Sequence, residues 1–139
     1  MTASSNIPAI NFQLHFMLKL AIPLLHVSDP AAAEKFYCDK LGFQTTFAYR
    51  TFGEPGPCYF ELERDGIRIH LSSFRDDGKP GSAIVLVVED VDALYKEFTL
   101  KKTVIDLVPT DQSWGNREMY IKDPDENSIR FTQWSNKET

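Results

Sequence analysis

Few residues of this 139-residue chain have side chains suited to chemistry at neutral pH, and their spacing narrows the options. The histidines are His15, His26 and His70, scattered along the chain. A catalytic divalent metal needs about three protein ligands, so a site would have to draw in carboxylates from elsewhere. Covalent chemistry fares no better. The sequence has no Gly-x-Ser-x-Gly elbow, no glycine-rich phosphate loop and no evident Cys-His or Ser-His-Asp arrangement. Cys58 alternates with Phe60 and Leu62 and reads as a buried thiol. His70 could act as a base, but a histidine on a polar sheet face more often hydrogen-bonds to a neighbour or a ligand. The remaining candidate is "DQSWGNREMYIKDPDEN", where Trp114 stands beside Gly115. An indole offers a flat platform for stacking, and a glycine next to it lets the backbone come close to a guest. The same pair could instead staple a strand at a subunit seam.

These residues must be positioned by a fold, and composition bounds it. The chain is 42% apolar and 25% charged with a net charge of −5, the profile of an ordinary globular domain. No basic patch suits nucleic acid. With two cysteines there is no disulfide framework, which points to a reducing compartment, the cytoplasm. Leu14 to Val27 is apolar but contains His15, Lys19 and His26. It is too short to span a bilayer and lacks the features of an export signal, so no membrane partner is expected. No period is visible over residues 1–16, which read as an N-terminal extension. Residues 17–139 read as one domain.

That domain repeats itself. "LAIPLLHVSDPAAAEKFYCDKLGF" is a strand, an Asp29 N-cap, Pro30 at the first helical position, about three turns of helix and a Gly42 stop. Strand-like runs follow at Phe43–Arg50, Cys58–Arg64 and Ile67–Ser73, the last two joined by Asp65-Gly66. "AIVLVVEDVDALYKEFTLKK" restates the strand, cap and helix with Asp90 and the stripe Val91, Leu94, Tyr95, Phe98. Strands at Val104–Val108, Arg117–Lys122 and Ser128–Trp134 complete the second copy. Two βαβββ modules, about 17–76 and 80–135, are therefore expected. Alternation sets Ile67, Ile69 and Leu71 under the helix and Arg68, His70 and Ser72 on the other face, with Arg130 and Thr132 likewise opposite Ile129 and Phe131.

The motifs "AIPLLHVSDPAAAEKFYCDKLGF", "ELERDGIRIHLS", "EDVDALYKEF" and "WGNREMYIKDPDENSIRF" together resemble the vicinal oxygen chelate superfamily, which includes glyoxalase I, extradiol dioxygenases and the bleomycin-resistance proteins. The match is nearest to the last. The resemblance implies an α+β fold in which two βαβββ modules form a half-open mixed sheet around a concave cavity, as a domain-swapped dimer. The superfamily's enzymes hold a divalent ion at positions that correspond here to Ile22, His70, Ala83 and Arg130. Of these only His70 could ligate, and Arg130 would repel a metal.

The resemblance thus implies a metal-free homodimer without a cofactor that sequesters an aromatic, bleomycin-like compound and so confers antibiotic resistance. Its groove aromatics correspond to Phe47, Phe52 and Trp114. Gly115, His70, Arg117 and Arg130 complete the expected ligand-binding set, with no catalytic residue assigned. The arginines depart from the acidic groove of bleomycin-resistance proteins and would suit an anionic or neutral guest. The alternative is a metal-dependent glyoxalase-type lyase or dioxygenase.

Overall fold

The computed structural model describes residues 16–51 and 56–135. The first module comprises β1 (Leu24–His26), α1 (Pro30–Lys35) continuing as a π-helical turn (Phe36–Lys40), β2 (Gln44–Arg50), β3 (Cys58–Arg64) and β4 (Ile67–Ser72). The second comprises β5 (Ala83–Val87), α2 (Val91–Leu100), β6 (Leu107–Asp111), β7 (Arg117–Lys122) and β8 (Ser128–Gln133). Each module is a four-stranded mixed sheet, ordered β1-β4-β3-β2 and β5-β8-β7-β6, with its first strand parallel to its last.

Local chemistry sets the helix starts. Asp29 Oδ1 accepts from Ala32 N at 3.1 Å and Asp90 Oδ1 from Ala93 N at 3.0 Å, so the same cap opens both helices. One strand departs from expectation: β6 begins at Leu107, not Val104. After α2 the chain turns through Lys102 at φ 61°, and Thr103 N bonds back to Phe98 O at 3.0 Å, which delays pairing with β7. Pro109 then sits in this outermost strand, where a missing N–H costs no ladder bond.

The helix-facing side chains of both sheets merge into one core, with Leu25, Tyr37, Leu62, Ile69 and Leu71 from the first module and Phe98, Met119, Ile129 and Phe131 from the second. Cys58 is buried in it with Phe60 and Leu62, as the alternation predicts.

Polar clips also tie the modules together. The acidic turn after β7 is one of them. Buried Asp123 accepts from Tyr37 Oη at 2.8 Å, from Asp125 N at 2.8 Å and from Asn127 N and Nδ2 at 2.9 Å each. Asn127 Nδ2 also donates to His26 O at 2.9 Å. The second clip is Arg64, whose two terminal nitrogens each lie 2.8 Å from an oxygen of Glu97 on α2, with Leu41 O a further acceptor at 2.8 Å. Gly42 makes room for it: a Cβ there would lie 2.8 Å from Arg64 Nη1.

Candidate functional site

The faces turned away from the helices carry most of the candidate side chains. In the first module the ladder places Leu24, His70, Glu61 and Phe47 in one row across four strands. The next row holds His26, Ser72, Tyr59 and Tyr49. A hydrogen-bonded chain crosses these rows. Tyr59 Oη lies 2.7 Å from His70 Nδ1, His70 Nε2 2.9 Å from Glu61 Oε2, and Thr46 Oγ1 donates to Glu61 Oε1 at 2.7 Å.

Protonation follows from the surroundings. Burial, with Asp77 and Glu61 nearby, pushes the Tyr59 hydroxyl up, so it stays a donor. The hydrogen bond from His70, then that from Thr46, holds the Glu61 carboxyl below the usual range. Both ring nitrogens of His70 therefore have partners, Nδ1 the Tyr59 hydroxyl and Nε2 the Glu61 carboxylate. Beside this chain Phe47, Tyr49, Tyr59 and Phe74 line an open cup of about 440 Å³ with Asp77 at its rim. The Tyr49 and Phe74 rings stack at 6.2 Å.

The second module has a matching face. Val85, Arg130, Tyr120 and Leu107 form one row, and Val87, Thr132 and Glu118 the next. Trp114 projects from the loop between β6 and β7, 63% exposed, and its Nε1 donates to Glu118 Oε2 at 3.0 Å. Tyr120 Oη donates to Glu118 Oε1 at 2.7 Å, and this bond, followed by burial, raises the Tyr120 pKa. The Arg130 guanidinium lies 4.7 Å from the Tyr120 ring centroid. Gly115 adopts φ 105°, a conformation few other residues tolerate, and Gly115 N closes the turn on Gln112 O at 2.9 Å.

The sequence-derived site set divides accordingly. Phe47 and His70 lie on the first concave face, and Trp114, Gly115 and Arg130 at the second. Phe52 lies outside the described residues. Arg117 is a correction. It shares the helix-facing parity of Met119 and Ile121, and it pairs with Asp92 at 3.0 Å and Asp111 at 3.1 Å instead of facing the groove. Alternation within "REMYIK" would have shown this. Sequence reasoning also missed Glu61, Tyr59, Glu118 and Tyr120. Their alternation with core residues was visible, but their partners come from cross-strand register.

This geometry has known counterparts. The sequence pattern of the Glyoxalase superfamily matches residues 9–138. The chain belongs to this superfamily. A bleomycin resistance protein of Geobacillus stearothermophilus is 33% identical over 135 residues, covering 81% of this chain and 95% of that relative. A glyoxalase/bleomycin resistance protein/dioxygenase superfamily member from Sphaerobacter thermophilus superposes with a TM-score of 0.66 at 26% identity, covering 85% of this chain and 99% of that one. A bleomycin-binding protein solved with bleomycin shares the fold, with a TM-score of 0.65 at 22% identity over 84% of this chain and 98% of that one.

The superfamily's divalent ion does not fit the residues present. The register pairs His70 with Leu24 and Arg130 with Val85, two residues beyond Ile22 and Ala83. None of these four aliphatic side chains has a donor atom, and both His70 nitrogens are engaged. Among the described residues no three His, Cys, Asp or Glu side chains gather as metal ligands.

Proposed function

We propose that this protein binds and sequesters a planar aromatic small molecule on its concave faces, in the manner suggested by its bleomycin-resistance relatives, and does so without a metal. The observation that carries the reading is Trp114, a largely exposed indole fixed in place by Glu118. An exposed aromatic ring held by a buried carboxylate is preorganised for stacking, which adds about 0.5–1.5 kcal/mol per ring pair beyond area burial.

Phe47 lies on the outer strand of the first sheet and Trp114 in the loop that leaves the outer strand of the second, an arrangement that favours a second copy of the chain for a ring sandwich. The exposed apolar side chains Phe16, Met17, Leu18, Leu20 and Val85 support that dimer. The thiols of Cys38 and Cys58, neither of them in a disulfide, suit a reducing compartment such as the cytoplasm. Calorimetric titration with bleomycin and with uncharged 2-naphthamide tests the reading. Trp114→Ala should weaken whichever binds by about tenfold; unchanged affinity, or no binding of either, overturns it.

A metal-dependent lyase or dioxygenase has one observation in its favour, the imidazole and carboxylate of His70 and Glu61 side by side. One tightly bound divalent ion per chain in metal analysis of the purified protein would establish that reading instead.

A further inference from the structure

We infer that the guest of the second concave face carries an anionic group, a carboxylate or its equivalent, which pairs with Arg130 while the aromatic part stacks on Trp114. This rests on the reading of Trp114 as a ring platform and adds the charge of the ligand to it. Two arginines elsewhere in the chain, Arg64 and Arg117, are internally answered. Arg64 is bound by Glu97 at 2.8 Å and Arg117 by Asp92 and Asp111, the latter two pairs at 3.0 and 3.1 Å. Arg130 has no carboxylate within ion-pair distance among the described residues, although the chain carries 20 acidic residues against 15 basic ones. Its protein contacts are the Tyr120 ring and, through Nε at 3.4 Å, the Ser128 hydroxyl. Its two terminal nitrogens make no hydrogen bond among the described residues, and a guanidinium with both terminal N–H groups to spare can grip a carboxylate with two bonds.

The carboxylate of Glu118, on the same face, makes no ion pair with Arg130. Glu118 is buried, and its oxygens are taken by the Trp114 indole and the Tyr120 hydroxyl. Glu118 therefore holds the two rings, while Arg130 keeps its charge for a guest. Trp114, Glu118, Tyr120 and Arg130 make a continuous line, in which positions 118 and 120 lie about 7 Å apart along the strand. Val85, the ladder neighbour of Arg130, is exposed and supplies an apolar flank that limits competition from water.

Calorimetric titration with 2-naphthoate, 2-naphthamide and 2-naphthylmethylammonium, which share one ring system and differ in charge, tests the inference. Naphthoate should bind about tenfold tighter than the amide, and the ammonium compound most weakly. Arg130→Gln should remove the advantage of naphthoate over the amide. Equal binding of naphthoate and amide, or an advantage that survives in Arg130→Gln, overturns the inference while leaving the aromatic-binding function standing. Failure of all three compounds to bind overturns both. Thermal melts of Arg130→Gln and Arg130→Lys identify any loss caused by misfolding, and Arg130→Lys should recover part of the charge preference without the two-point grip.

Discussion

The Trp114 indole and the Glu118 carboxylate are joined across the Gly115 turn by a 3.0 Å hydrogen bond, so a ring that is mostly in solvent has a fixed orientation. The carboxylate is itself anchored by Tyr120 at 2.7 Å. Glu118→Ala should free the indole. In a Trp134→Phe background, the fluorescence anisotropy of Trp114 should fall and aromatic ligands should bind several-fold more weakly, while stability drops by about 1–2 kcal/mol. Anisotropy equal to that of the parent would show that the hydrogen bond does not hold the ring.

The Arg64–Glu97 clip gives a pH signature. The hydrogen bonds from Arg64, the largest influence, hold the Glu97 carboxyl below its usual range. A carboxylate with a depressed folded pKa contributes stability that is present above its unfolded pKa of about 4.3 and lost as pH falls through the lower folded value. With both side chains partly exposed, Glu97→Gln should cost about 1 kcal/mol at neutral pH. The gap between the urea midpoints of parent and variant should begin to narrow as pH falls below about 4 and go on narrowing with further acidification; a gap that does not change with pH would rule out the charge as its source.

Asp123 is the buried counterpart in the other clip, and Tyr37 is its cross-module donor. Tyr37→Phe keeps the ring in the core and removes one of the bonds to a buried carboxylate. The expected loss is about 1–3 kcal/mol, visible as a lower denaturation midpoint with no change in ligand affinity. A loss of binding without a loss of stability would mean that the clip belongs to the groove.

The modules, caps and turns were legible in the sequence because each is encoded locally. Asp29 and Asp90 cap within three residues, Asp65-Gly66 reverses the chain at once, and Ile69-His70-Leu71 alternates on its own strand. The groove was legible only in part. Glu61 meets His70, and Glu118 meets Trp114, through strand register and loop closure, which depend on residues far apart in the chain. Arg130 and Arg117 look alike in the sequence, yet they serve opposite faces because one alternates with Ile129 and Phe131 inward and the other is itself in step with Met119 and Ile121.

Gly115 links the loop to the platform. Its φ of 105° is strained for any residue with a side chain, although the space beside it is open: an added Cβ would come no closer than 3.9 Å, to Ser135 Oγ. Gly115→Ala therefore meets no clash, and its cost, about 1–2 kcal/mol, is conformational. The cheapest relief is for the loop to reopen the Gln112–Gly115 turn, which carries the adjacent indole away from Glu118. Ligand affinity should fall together with Trp114 anisotropy in Gly115→Ala, while the core, probed by urea slope, is unaltered. Full affinity with only a stability cost would show that the glycine serves the turn alone.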